Sequence, residues 1–142
     1  MKKLLALSLA ILLLFLTGCQ ANKLHDVEYE VSSSSSLEIK TEKEVYSKED
    51  TVIRYSITNI SDSEASINSD KACFTLHKLV GDEWKWVETK IEHYWTSLAL
   101  IMPSGAYEMR EINLEEYFNL PLDEGTYRIC IETDVSNTFE VK

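Results

Sequence analysis

Leu122-Asp123-Glu124-Gly125-Thr126-Tyr127 is the stretch on which the fold turns. An apolar residue, two acids and a turn glycine lead into a tyrosine, and Ile129 and Ile131 then follow at every second position. A period of two marks a half-buried strand, with Tyr127, Ile129 and Ile131 on its inward face. A tyrosine at the mouth of such a strand can bury its ring and turn its hydroxyl back to backbone a few residues upstream. That bond would fix a crossover between two layers of strands.

Working outward, the same period governs the chain from Leu37 to Lys142. Leu37 and Ile39 alternate with Glu38 and Lys40, and Ile53, Tyr55 and Ile57 alternate with Arg54, Ser56 and Thr58. Asn59 to Glu64 is a polar connection, and Ala65 with Ile67 marks a short strand. Phe74 and Leu76 face opposite to Cys73, Thr75 and His77, and Gly81-Asp82 turns this strand into Trp84-Lys85-Trp86-Val87. Leu98, Leu100 and Met102 alternate up to Pro103-Ser104-Gly105, Tyr107 and Met109 begin another strand, and Phe139 and Val141 close the last. Only Asn113-Leu114-Glu115-Glu116 changes the period. Asn113 can cap a helical turn near 114–118, with Glu116 at capping-box spacing and Leu114, Tyr117 and Phe118 on one face. About seven short strands in roughly 100 residues predict an all-β, immunoglobulin-like Greek-key sandwich, with Tyr127 at its tyrosine corner.

Ahead of this domain lies a different kind of sequence. Lys2 and Lys3 precede an uncharged, mostly apolar run from Leu4 to Leu16, and Thr17-Gly18 then lead to Cys19. The run is too short for a membrane span, which needs about 20 apolar residues, and has the length of a secretory core. It resembles a bacterial lipoprotein signal with its lipobox. The resemblance implies cleavage after residue 18 and lipidation of the Cys19 thiol, palmitate being one such acyl group. Two or more acyl chains anchor a protein durably. Residues 19–36, ending in Ser32 to Ser36, are too polar to fold alone and read as a flexible serine-rich tether in which His25 is solvated, with a short strand over the alternating Val27, Tyr29 and Val31 as the second reading.

Without residues 1–18, Lys+Arg falls from 14 to 12 against 24 acids, a formal charge of −12. Such a surface repels nucleic acid and anionic headgroups, so membrane contact is expected through the lipid alone.

Three segments carry a family resemblance. They are Val45-Tyr46-Ser47 with Tyr55-Ser56-Ile57-Thr58-Asn59, then Phe74-Thr75-Leu76-His77-Lys78 leading to Gly81-Asp82-Glu83-Trp84, then Gly125-Thr126-Tyr127-Arg128-Ile129. Together they resemble a bacterial immunoglobulin-like domain of exported Firmicutes proteins over nearly all of residues 37–142. The resemblance implies the sandwich, offers no catalytic residues and places Trp84 in the interior. A more distant similarity is to the intracellular proteinase inhibitor domain of bacilli, also a sandwich.

In antibody-type domains a disulfide crosses the core, and here the strand from Val52 to Thr58 has no cysteine. Cys73 and Cys130 both point away from the inward residues of their strands, which are the third and sixth of the usual order and neighbours in one sheet. A cross-strand disulfide on the outer face is therefore expected between Cys73 and Cys130, worth roughly 4 kcal/mol in the loop-entropy treatment.

No constellation for catalysis stands out. His25, His77 and His93 fall in no metal-ligand spacing, Glu115 and Glu116 are explained by capping and solvation, and Asp62, Glu64 and Asp70 match no calcium loop. No phosphate-binding glycine loop is present, and no metal or cofactor is implied. Trp84 and Trp86 share one side of a strand, with core packing and an exposed platform as the two readings. Tyr94 and Trp95, in an irregular stretch, are the candidate contacts for a protein partner or glycan. These features point to a noncatalytic, lipid-anchored envelope protein on the outer face of the cell membrane, an immunoglobulin-like module binding an envelope protein or glycan. The alternative is a proteinase-inhibitor-like module acting on an extracellular protease through Lys90 to Ser97. A small enzyme or metal protein finds no residue cluster in support.

Overall fold

The alternation along the chain resolves into short strands whose partners lie far away in sequence. A computed structural model describes residues 21–31, 36–92 and 94–142. The leader over 1–18, Cys19, Ser32 to Ser35 and His93 lie outside the described residues. After β1 (Leu24–Asp26) come β2 (Leu37–Thr41), β3 (Val45–Tyr46), β4 (Val52–Asn59), β5 (Ala65–Asn68), β6 (Thr75–Val80) and β7 (Glu83–Val87). The second half holds β8 (Ala99–Met102), β9 (Tyr107–Asn113), the single helical turn α1 (Leu114–Tyr117), β10 (Gly125–Ile131), β11 (Asp134–Val135) and β12 (Phe139–Val141). The large sheet runs β1-β7-β6-β10-β12-β3 with β11 beside β10, the small sheet runs β2-β4-β9, and β5 pairs β8 in a separate ribbon. The first arm of the domain is split between sheets: β2 pairs antiparallel with β4, while β3 crosses to pair parallel with β12.

The core lies where the inward residues of the two sheets meet. Ile53, Tyr55 and Ile57 of β4 and Ile112 of β9 face Leu76 of β6 and Ile129 of β10, all fully buried. α1 closes one end of this layer. Asn113 Oδ1 accepts from the Glu115 N–H at 3.2 Å, as its capping position predicts, and Leu114 and Phe118 are buried in the core.

The tyrosine corner forms as expected. Tyr127 is buried and its hydroxyl donates to the Asp123 carbonyl at 2.7 Å, four residues upstream. Gly125 sits between them at φ +148°, and a Cβ there would come within 3.0 Å of Lys78 Cε. Lys78 fills that space because its ammonium lies 5.6 Å from the Tyr127 ring centroid and 3.6 Å from Asp123 Oδ2.

Three expectations are corrected. First, Cys73 and Cys130 are free, buried thiols. β6 and β10 do pair, but in a register that sets Cys130 opposite Thr75. Cys73 precedes β6 and is two positions out of step, on a diagonal of about 7–8 Å in a sheet, beyond the roughly 3.5–4.5 Å between Cβ atoms that a disulfide needs. Second, part of the polar segment after Cys19 packs on the domain, through β1, Asn22 and Tyr29. β1 adds to the edge of β7 with His25 opposite Trp86. Asn22 Nδ2 donates to the Asn119 carbonyl, and the Asn119 N–H donates back to Asn22 Oδ1, both at 2.8 Å. Third, Trp84, which the resemblance places in the interior, is half-buried with Trp86 on the outer face of the large sheet, because the β6–β7 register sets them opposite Leu79 and His77. Tyr107 and Met109 begin β9 as read and point outward, 64% and 43% exposed, while Arg110 and Ile112 point inward.

Arg110 enters the interior because each of its three nitrogens finds an acceptor. Its guanidinium bonds the carbonyls of Asn68 at 2.8 Å and Asp70 at 3.3 Å and pairs with Glu108 at 3.3 Å. It thereby clamps the end of β5 to β9. The Tyr55 hydroxyl, buried opposite Arg110, is pushed up to about 12 by desolvation.

Two expected outcomes follow from these bonds. Tyr127→Phe should cost about 1–2 kcal/mol, the scale of one buried hydrogen bond, read as a lower urea midpoint with an unchanged slope. Asn22→Ala should speed hydrogen exchange at the Asn119 N–H while leaving the main thermal transition in place, because the docked segment can open without the sandwich.

Candidate functional site

The outer face of β7, β6 and β10 carries the side chains that the core rejects by parity. Thr75, His77, Trp84, Trp86, Arg128 and Cys130 all project from it. In an open sheet they would meet water. Here residues 21–31 form a strap across them, so His77 and Cys130 are buried.

The strap is held by aromatic and polar contacts. His25 stacks on Trp86 with ring centroids 4.4 Å apart and planes 20° apart, which corrects the expectation of a solvated histidine. The Tyr29 hydroxyl lies 3.2 Å from Thr75 Oγ1 and 3.4 Å from His77 Nε2. Arg128 lies over the Trp84 ring at 4.2 Å and its Nε donates to His77 Nδ1 at 3.4 Å. With Nδ1 accepting, His77 is neutral and its Nε2–H can donate to Thr75 Oγ1, 3.1 Å away. Burial, and then the Arg128 charge, lower the His77 pKa to about 4. Burial raises both the Cys130 and Cys73 thiols above their ordinary value. Neither cysteine is therefore an activated nucleophile.

Beside the strap the surface opens into a cavity of about 560 Å³ with Tyr29, Phe74, Trp86, Tyr94 and Trp95 in its walls and Glu88 and Glu92 among its acids. A second cavity, about 450 Å³, shares Tyr29, Phe74, Thr75 and Trp95 and extends past Cys73 and Cys130 to Glu132. The two form one aromatic trough. Tyr94 is 86% exposed and Trp95 49%, and the Tyr94 hydroxyl donates to Glu92 Oε2 at 2.9 Å. Both candidate contact residues thus stand at one site, and the trough adds Tyr29, Phe74 and Trp86, which the sequence reading did not assign to it. Parity was the available signal for Trp86: a side chain opposite outward His77 must itself point outward. Tyr29 carried no such signal, since its place depends on docking of the strap.

The remaining sequence candidates are scattered. Asp70 turns its carboxylate onto the backbone N–H groups of Ala72 and Thr96, and Glu115 and Glu116 lie exposed on α1. Among the described residues, no group of three or more His, Cys, Asp or Glu side chains is placed to hold a metal.

Two packed antiparallel sheets, a tyrosine corner and a first arm divided between the sheets define an immunoglobulin-like sandwich. The chain belongs to the bacterial Ig-like domain family, whose pattern it matches over residues 33–141. A domain of this family suggests a noncatalytic interaction module. No curated protein matches the chain. Among solved structures it is similar to a β-glucosidase from Erythrobacter marinus, at TM-score 0.40 and 13% identity, over 75% of this chain and 15% of that one. It is also similar to the alkylpurine DNA glycosylase AlkC of Pseudomonas fluorescens bound to DNA, at TM-score 0.41 and 10% identity, over 78% of this chain and 31% of that one. A β-glucosidase from Listeria innocua in complex with glucose gives TM-score 0.38 and 15% identity, over 78% of this chain and 16% of that one. The chain thus spans under a third of each of these proteins, and likenesses of this size lend nothing to a functional reading.

The buried imidazole makes stability depend on pH in a defined direction. The unfolded chain takes up a proton at His77 near pH 6.5, while the folded chain resists it down to about 4. Stability should therefore fall as pH drops from about 6.5 to about 4, on the order of 2–3 kcal/mol. His77→Gln should flatten that interval when urea midpoints are compared at pH 7, 5.5 and 4. Asp26, Asp50 and Glu124, whose carboxyls are held below their ordinary values, lose their stabilisation only as pH falls further.

Proposed function

We propose that this protein is a noncatalytic binding module, anchored by lipid on Cys19 to the extracytoplasmic face of the cell membrane. The aromatic trough is its contact surface for an envelope protein or glycan. One observation carries the reading: a strongly exposed tyrosine and a half-exposed tryptophan, on a loop that serves no core, wall a cavity with three further aromatic rings. Aromatic side chains gain from burial and stacking when a partner covers them, and a preformed concave site of this size is the usual form of a binding site.

The leader supports the anchor through its basic start, short apolar run and Thr17-Gly18-Cys19 end. The docked strap refines the manner of display. Only two residues separate Cys19 from Asn22, three residue steps with a reach of at most roughly 11 Å, and Asn22 is bonded to Asn119. An acyl group on Cys19 would hold the sandwich close to the bilayer.

Cys19→Ala should abolish incorporation of labelled palmitate and move the protein out of the detergent phase, with the β-sheet circular dichroism and its melting unchanged. A labelled Cys19→Ala protein would remove the anchor from this reading. For the binding surface, Tyr94→Ala with Trp95→Ala should lose the envelope components that the wild type captures. Identical capture by both proteins would remove the trough from it.

A further inference from the structure

The charges around the trough are one-sided. Glu88 and Glu92 line the first cavity and Glu132 the second, and among the described residues no lysine, arginine or histidine lines either. The strap offers Glu88 partial neutralisation, with Lys23 Nζ at 3.5 Å. Among the described residues no ion pair reaches Glu92 or Glu132, and Glu92 is met by the Tyr94 hydroxyl. Glu132 holds a positive φ of 55°, uncommon for a residue with a side chain. An aromatic wall with uncompensated carboxylates fits a cation. Ring faces attract ammonium and guanidinium groups, and carboxylates supply the counter-charge. The same domain already settles its own cations in this manner, with Arg128 over Trp84 and Lys78 over Tyr127.

We propose that the trough takes the basic side chains of an extended polypeptide segment, a lysine-bearing peptide, with Trp95 and Tyr94 stacking against the cations and Glu88, Glu92 and Glu132 neutralising them. This rests on the binding-module reading and narrows its ligand. The two lobes, joined at Tyr29, Phe74, Thr75 and Trp95, give room for more than one side chain of such a segment. The acidic net charge of the chain, −10 as a whole, steers a basic partner toward it. A neutral sugar would leave the carboxylates unmatched.

The test uses the full chain in detergent micelles, tetralysine as probe, and tryptophan fluorescence with calorimetry as readouts. Saturable binding is expected, weakening as salt rises. Acetylation of the lysine side chains, Trp95→Ala and Glu92→Gln should each weaken it about tenfold or more, with both variants melting like the wild type. The proposal is overturned if tetralysine does not bind, if its acetylated form binds as well, or if a glucosamine tetramer binds as tightly. It is also overturned if affinity survives Trp95→Ala, which would mean diffuse charge attraction without the trough. Should tetralysine fail while Tyr94→Ala with Trp95→Ala still loses its envelope ligand, this inference falls and the binding-module reading stands. Should that double variant keep every ligand, the reading beneath it falls too.

Discussion

The structure depends on the register between β6 and β10. Pairing Leu76 with Ile129, and Thr75 with Cys130, sends one set of side chains into the sandwich and the other to the far side of the sheet. The inward set, with Tyr127 closing the corner, makes an ordinary apolar core. The outward set contains an imidazole, a guanidinium, a thiol and, from β7, two indoles, which neither core nor water suits well. A segment must cover them, and the strap of residues 21–31 does so. The large sheet is thus buried on both faces over part of its width, which an antiparallel sheet of a sandwich does not require.

Burying polar groups has a cost that contacts must offset. His77 avoids carrying a charge by staying neutral, with Arg128 as donor on one side and Thr75 and Tyr29 on the other. Arg128 keeps its charge by resting on Trp84. Arg110 is the counterpart in the opposite sheet, where backbone carbonyls of Asn68 and Asp70 and the Glu108 carboxylate meet its donors. Arg110 thereby ties the end of β5 and the following loop to β9, while Arg128 links the outward side chains of three neighbouring strands in one sheet.

Much of the fold was legible because it rests on local signals. Period-two alternation, the turn at Gly81-Asp82, the Asn113 cap and the Gly125-Tyr127 corner each have a physical signature within a few residues, and each forms as read. Errors arose where long-range register decides. Cys73 and Cys130 share a face and neighbouring strands, yet a two-position offset keeps them apart, and nothing in either strand alone reveals it. Tyr107 and Met109 open β9 as read, but nothing local marks which of its faces is buried: Ile112 and Arg110 go inside, Arg110 because its partners lie on β5 and beyond. The strap was misread because its composition is polar. Its docking draws on rings and bonds supplied by β6, β7 and the Asn119 turn, not on apolar content of its own. Tyr94 and Trp95 were found as candidates since an aromatic pair outside any alternating run has no core to enter, and both stand exposed.

The same strap links attachment to recognition. Tyr29 is a wall of both cavities while its hydroxyl secures the buried polar cluster, and three residues beyond the strap's bonded start stands Cys19. The trough therefore exists in its present shape only while the strap is docked. A free tether would leave Thr75, His77 and Cys130 open to water and remove one side of the site. In a domain whose two sheets are otherwise a generic sandwich, the features specific to this chain collect on one face: the strap, the aromatic loop and the uncompensated acids. A pull on the amino terminus strong enough to peel β1 from the edge of β7 would dismantle that face while leaving the Tyr127 corner and the core untouched, because no core contact runs through β1.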